Sequence, residues 1–244
     1  MAIIDPLFRV ALVAATPNPQ QCVWAAAHQD YAEEFVADSR AGWPCERKAG
    51  QIAVKRLLAG DRGHYGPLEH AQIVLNVGWF PHSVMQQART HRVGVSFDVQ
   101  SMRYTSQRII DAANGKKELE EVFYLRPIGD YRDRQGARYF YSEEDRATDL
   151  MLCAQAAERY AELIRKGYAE EHARGILPFD YRQHFMVSFS LRAFMHFLDL
   201  RAKADAQPEI QALCDLMLPK LDGWVPEFAA YYREKRLHKA RLAP

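Results

Sequence analysis

The sequence has few cysteines, and none of them lie close together. Its four cysteines are Cys22, Cys45, Cys153 and Cys214, so the 244 residues contain no CxxC pair. A disulfide framework or a cysteine-based zinc site needs closely grouped cysteines. Their wide spacing therefore argues against both and favours a reducing compartment. No cysteine stands in a setting typical of a catalytic nucleophile.

An excess of one charge and long apolar runs are also lacking. The formal net charge is +1, whereas proteins that grip long nucleic acid through many phosphates are usually basic. The longest uncharged stretch, 71–88, is interrupted by glutamine, asparagine, glycine, proline and histidine, which does not indicate a membrane span. The beginning of the sequence lacks the basic region of a signal peptide. We therefore expect a soluble, cytoplasmic protein that binds neither nucleic acid nor membrane.

Common nucleotide and hydrolase motifs are absent as well. The chain has no GxGxxG after a strand, no Walker loop and no GxSxG. The turn "GHYGPLEH" contains His64, Glu69 and His70, but their spacing matches no recognised metal-ligand pattern. We expect no metal site. His64 then has two readings, a turn histidine that binds a ligand or a purely structural one.

Periodicity predicts an α+β (α/β) protein, one helix-rich domain around one modest sheet, over residues 1–244. Strands are predicted at 8–17 and 71–80, and a tyrosine-rich hairpin at 129–145. Asn18 is a candidate cap for the first helix, and Gly60 ends the second. The predicted helices cover residues 17–39, 51–60, 81–92, 142–167, 169–178, 190–204, 208–221 and 226–238.

The stretch "RTHRVGVSFDVQSMRY" at 89–104 concentrates hydrogen-bond donors. It has three arginines, one histidine and two serines, against the single acid Asp98. Arginine forks match phosphate oxygens in a bidentate manner, and serine adds a short donor. The stretch therefore predicts an anion site, with a solvated basic helix end as the alternative.

A second arginine cluster lies among aromatic residues at 174–201. Apolar stretches usually keep an arginine where it has a partner, although long side chains can also reach out to solvent. Arg192 and Arg201 are nine residues apart, so a straight helix points them in opposite directions. We expect them to serve different partners.

Taken together, these segments resemble the flavin-dependent thymidylate synthases. That family's signature is Arg-His-Arg, seven or eight residues, Ser, and then Arg-Tyr. The matching residues here are His91, Arg92, Ser101, Arg103 and Tyr104. The family's flanking segments correspond to "GHYGPLEH", "RGILP" and "LDLR", and the resemblance covers roughly residues 8 to 225. The first arginine of the signature is replaced by Thr90, and Arg89 stands one position earlier.

The resemblance implies the thymidylate synthase-complementing protein fold and a specific reaction. These enzymes methylate dUMP to dTMP reductively for de novo dTTP synthesis. Methylenetetrahydrofolate supplies the carbon, and NADPH reduces bound FAD. The family assembles as a homotetramer whose sites are shared between subunits.

The resemblance also implies roles for individual residues. Arg201 is the expected catalytic residue, with a simple contact to the helix dipole as the alternative. The expected dUMP-binding residues are Gln87, Arg89, Ser101, Met102, Arg103, Arg174 and Arg201. The expected FAD-binding residues are His64, Arg89, Thr90, His91, Arg92, Ser190, Arg192 and His196. The competing hypotheses are another FAD-dependent nucleotide-binding reductase and a nucleic-acid-binding protein that uses the tyrosine-rich hairpin as a stacking surface.

Overall fold

The structure is a computed structural model that describes residues 5–59, 63–133 and 135–239. Its strands are β1 (Arg9–Ala15), β2 (Gln72–Pro81), β3 (Val95–Val99), β4 (Gly129–Arg132), β5 (Arg138–Tyr141) and β6 (Arg182–Ser190). Its α-helices are α1 (Pro19–Gln29), α2 (Glu46–Ala53), α3 (His82–Ala88), α4 (Met102–Thr105), α5 (Gln107–Ala113), α6 (Glu143–Arg165), α7 (Glu170–Ala173), α8 (Leu191–Arg201), α9 (Pro208–Trp224) and α10 (Pro226–Lys235).

The main sheet is antiparallel, with strand order β1-β2-β6-β3. Alternate residues of β2 and β6 point into one core, because successive side chains of a strand face opposite ways. Leu75 pairs with Val187, and both are almost fully buried. Helices α3, α8, α9 and α10 contribute to this core, which places the ends of α8 close to the sheet.

A second, smaller core lies under α4, α5, α6 and α7. It contains Met102, Ile109, Tyr160 and Ala173, each no more than 1% exposed. The long helix α6 begins with a capping box, in which Ser142 accepts from the Asp145 amide and the Asp145 carboxylate accepts in return. This second core holds the segments that follow the signature stretch.

The predicted fold class is confirmed, and several of the predicted elements are confirmed with it. These are the two strands, the hairpin, and the helices α6, α8, α9 and α10. Among the residues described, no helix is long and apolar enough to cross a bilayer.

The first two predicted helices need correction. α1 ends at Gln29 instead of continuing to residue 39, and a 3-10 helix follows at Val36–Gly42. Asn18 precedes α1 with φ of 47°, but its side chain makes no cap hydrogen bond. α2 starts at Glu46, five residues before the predicted start at residue 51, and runs into a π-helical turn at Val54–Leu58. Gly60 lies outside the described residues.

The helix predicted at 81–92 is also too long. α3 ends at Ala88, and the strand β3, which was not predicted, follows at Val95–Val99. The hydroxyl of Thr90 donates to the Gln87 carbonyl at 2.7 Å, which occupies a backbone acceptor at the helix end. Gly94, at φ of 67°, then turns the chain into β3. β6 was missed too, although its buried Phe185, Val187 and Phe189 alternate as in a strand.

Candidate active site

The last residue of α8, Arg201, is held by three contacts to the end of α3 and the segment that follows it. Its Nε donates to His91 Nε2 at 3.0 Å. Its Nη2 donates to Thr90 Oγ1 at 2.8 Å and to the Gln87 carbonyl at 3.2 Å. Three acceptors in different directions fix a planar guanidinium in both position and orientation. In the described residues Nη1 has no partner, so it can donate to a ligand.

His91 is a buried and neutral member of this group. Burial, and next the positive charge of Arg201, lower its pKa from 6.5 to about 4. The neighbouring His196 ring meets it edge-on at 5.4 Å and lowers that pKa further. Arg201 can only donate, so His91 Nε2 accepts and the ring proton sits on Nδ1. Only Nδ1–H remains as a donor from His91 to a ligand.

His196 has a similar environment on the inner side of α8. Its Nδ1 is closed off from solvent and lacks a hydrogen-bond partner in the described part of the chain. Burial lowers the pKa of His196, and nearby arginines lower it further, while Asp199 opposes the change. This histidine is therefore also held in its neutral form.

The opposite end of α8 carries a second polar group. Ser190 caps the helix by accepting from the Ala193 amide, and its hydroxyl donates to Glu69 Oε2 at 2.5 Å. Arg192 reaches the other oxygen of Glu69 at 3.4 Å. Glu69 thus joins the turn at residues 64–70 to the beginning of α8.

This contact depends on Gly94. A Cβ at Gly94 would lie 2.6 Å from Ser190 Oγ and 3.0 Å from Glu69 Oε2. Both distances are too short, and the positive φ of Gly94 is a conformation that side chains rarely adopt. Glycine therefore allows the backbone before β3 to approach Ser190, whose amide donates to the Gly94 carbonyl at 2.8 Å.

A third group of polar residues, Ser101, Arg103 and Arg174, lies on the helices that cover the second core. Ser101 caps α4 by accepting from the Arg103 amide. Arg103 and Arg174 are exposed. Arg103 makes a long ion pair of 3.9 Å to Glu171 on α7, and its guanidinium lies 5.8 Å from the centre of the Tyr104 ring. The side chain of Met102 is 1% exposed, so only its main chain could face a ligand. Two exposed arginines and a serine hydroxyl match the chemistry of a phosphate.

The remaining predicted residues are exposed. His64 Nε2 is 2.8 Å from Asp30 Oδ2, at the edge of a cavity of about 610 Å³ beside α1 and α2. Arg89 and Arg92 make no side-chain hydrogen bond or ion pair within the described ranges, which leaves both cations free to meet an anion. No three histidine, cysteine or acidic side chains converge as a metal site in that part of the chain.

The structure thus brings the predicted residues together in separate groups. Gln87, Thr90, His91 and His196 surround Arg201, while Ser190 and Arg192 lie at the other end of α8. Because α8 has 11 residues, its ends are about 16 Å apart. The expectation that Arg192 and Arg201 serve different partners is confirmed.

Sequence reasoning missed two polar partners in these groups. Glu69 was considered only as a metal ligand, although its place in "GHYGPLEH" identifies it as part of a motif. Gln207 forms a hydrogen bond with Gln87 across 120 residues of sequence, and no local signal could have revealed it.

Comparisons with known proteins agree on one family. The family described as "Thymidylate synthase complementing protein" matches residues 11–227. The flavin-dependent thymidylate synthase of Haloarcula marismortui is 35% identical, over 96% of this chain and 99% of that protein. Its counterpart from Halobacterium salinarum is 32% identical, over 97% of this chain and 100% of that protein.

Solved structures share the fold. A UMP/dUMP methylase from Streptomyces cacaoi bound with 5-Br dUMP has a TM-score of 0.70 at 23% identity, covering 97% of each chain. A flavin-dependent thymidylate synthase from Helicobacter pylori, complexed with FAD and dUMP, has a TM-score of 0.67 at 19% identity, over 94% of this chain and 99% of that one.

Proposed function

This chain belongs to the family of flavin-dependent thymidylate synthases, and we propose that it methylates dUMP to dTMP with bound FAD. The observation that carries the proposal is the fixed guanidinium of Arg201, at the position where the family has its nucleotide-activating arginine. Three acceptors of the chain hold it, and one nitrogen, Nη1, stays available.

The described residues fit FAD. A pyrophosphate needs cations or hydrogen-bond donors that the protein has not already satisfied. Arg89 and Arg92 are exposed on the segment after α3 and supply such cations. Arg192 would add a third if the ligand competes with its long contact to Glu69. When bound, FAD would supply the hydride for reduction of the methylene group.

Arg201 would act on the pyrimidine ring. A guanidinium beside the N3 and carbonyl edge of uracil stabilises negative charge that develops on the ring. Arginine stays protonated even where burial lowers its pKa, as it does for Arg201. His91 and Thr90 keep the fork from rotating, so the donor is already oriented when the nucleotide arrives. The phosphate would lie against Ser101, Arg103 and Arg174.

We propose the remaining partners from the family. Methylenetetrahydrofolate would supply the carbon, and NADPH the reducing equivalents. The separation of about 16 Å between the ends of α8 supports a site built by more than one subunit. In a homotetramer, the pyrimidine ring of one nucleotide would then contact Arg201 of one copy. Its phosphate would contact Ser101, Arg103 and Arg174 of another copy. That residues 1–244 form one domain stays a prediction.

The test combines a spectrum with product analysis. Purified protein should show a flavin absorbance band that shifts when dUMP is added. With methylenetetrahydrofolate and NADPH it should form dTMP. Protein that takes up no FAD on titration would contradict the proposal. Reduction of the flavin by NADPH without dTMP formation would instead indicate another nucleotide-binding reductase.

A further inference from the structure

Arg108, the second residue of α5, is a cation without an adequate partner. Its Nε and Nη1 are closed off from solvent and have no hydrogen-bond partner among the residues described. Its Nη2 donates only to the sulfur of Met102, at 3.6 Å. A thioether is a weak acceptor, so this contact holds the guanidinium loosely.

Among residues 5–59, 63–133 and 135–239, no carboxylate pairs with Arg108. Burial lowers the pKa of Arg108, and within the described part of the chain only the phenol of Tyr181 opposes this change. Arg108 also acts on His184, whose pKa is lowered by burial and then by the charge of Arg108. Buried charges in proteins are normally paired, and leaving one unpaired is strongly unfavourable. A cation kept in this setting indicates a partner from outside the chain.

Arg108 belongs to the same part of the fold as Arg103 and Arg174, the two arginines expected to bind the nucleotide phosphate. Three arginines each stand next to a buried anchor residue: Arg103 follows Met102, Arg108 precedes Ile109, and Arg174 follows Ala173. Arg174 and Arg108 both act on Tyr181, where they oppose the rise in its pKa that burial causes. Arg108 also contacts Met102, the residue between Ser101 and Arg103, so it lies close to the residues expected to bind the phosphate.

We propose that Arg108 is a further phosphate-binding residue of the nucleotide site. This inference rests on the proposed function and adds a third arginine to Arg103 and Arg174. On binding, the guanidinium turns past Met102, exchanges the sulfur for phosphate oxygens and bonds them through its planar fork. The ligand class is a nucleoside monophosphate, whose dianion supplies the charge that the chain lacks.

The experiment compares wild-type protein with Arg108→Met in phosphate-free buffer, with FAD bound. Methionine keeps an apolar chain of similar length in the core while it removes the charge. Binding of dUMP, measured by calorimetry, should weaken about tenfold to hundredfold, the range for hydrogen bonds to a charged group. The melting temperature without nucleotide should stay the same or rise, since an unpaired buried charge has been removed.

Two further variants and one probe complete the design. Arg159→Met, on the exposed side of α6, removes a cation outside the site and should leave dUMP binding unchanged. Arg108→Lys keeps a charge without the fork and should give intermediate affinity. Inorganic phosphate should raise the melting temperature of the wild type but not that of Arg108→Met.

The outcomes separate this inference from the proposed function. Affinity of Arg108→Met for dUMP within twofold of wild type would overturn the inference, and so would a lower melting temperature without ligand in a variant that still folds. If Arg108→Met fails to fold, wild-type affinity in Arg108→Lys overturns it as well. If the wild type binds no dUMP but phosphate stabilises it through Arg108, the anion site stands and the proposed function fails.

Discussion

The buried histidine beside Arg201 makes a quantitative prediction about acid stability. His91 has a pKa of about 4 in the folded chain, against 6.5 for an unperturbed histidine. The unfolded chain therefore binds more protons than the folded one between these two values. The contribution of His91 to stability is fully present above pH 6.5 and is lost as the pH falls toward 4.

The size of the effect follows from the same two values. A shift of about 2.5 units corresponds to roughly 3 kcal/mol at most, because each unit is about 1.4 kcal/mol. At pH 5 the contribution of His91 is only partly lost. The free energy of unfolding is then about 2 kcal/mol lower than at pH 7.5. For a chain of this size that loss lowers the melting temperature by roughly 4 to 8 °C.

The perturbation is His91→Gln, which keeps an acceptor for Arg201 Nε but cannot take up a proton. Urea unfolding at pH 7.5 and pH 5, at one fixed protein concentration, gives the free energy of unfolding for both proteins. The variant should lose about 2 kcal/mol less than wild type over this interval. The depressed pKa of His184 adds to the slope of both proteins, so it cancels in the difference.

His172→Gln is the matched control, because His172 is an exposed histidine on α7. It should follow the wild-type pH dependence. If His91→Gln and wild type lose the same stability between pH 7.5 and pH 5, His91 is not held neutral by burial and Arg201. The tautomer and the orientation assigned to the Arg201 fork would then be wrong.

Three other changes test the remaining parts of the site. Arg201→Lys keeps a charge but cannot reach three acceptors. Its dTMP formation should fall about 100-fold to 1000-fold while FAD stays bound, and wild-type turnover would make Arg201 structural. Ser190→Ala removes the cap of α8 and the partner of Glu69. It should lower the free energy of unfolding in urea by roughly 1 kcal/mol and lower FAD occupancy. Unchanged occupancy would show that Ser190 does not bind the cofactor. Replacement of all four cysteines should preserve dTMP formation in folded protein, because burial raises the pKa of three of the thiols. Loss of dTMP formation on replacement of a single cysteine would indicate a covalent mechanism. Those three thiols belong to Cys22, Cys153 and Cys214.

Part of the fold and site could be predicted because its causes lie within a few residues of sequence. The capping box of α6 joins Ser142 to a residue three positions on, and the opposite directions of Arg192 and Arg201 follow from helix geometry alone. The family resemblance likewise needs only the order and spacing of short segments. These features were identified without any knowledge of distant contacts.

The sequence by itself therefore determined the helices with strong periodicity, the strand β2 and the short motifs from which the site is proposed. Tertiary structure decided which strands flank β6 and which nitrogen of His91 is free. Arg201 and His91 are 110 residues apart, and the buried guanidinium of Arg108 lies near Tyr181 and His184 of a distant segment. Local hydrogen bonding and periodicity act over one or two turns of chain. Burial and pairing of charges, which set the pKa of His91 and leave Arg108 without a partner, arise only when distant segments pack together.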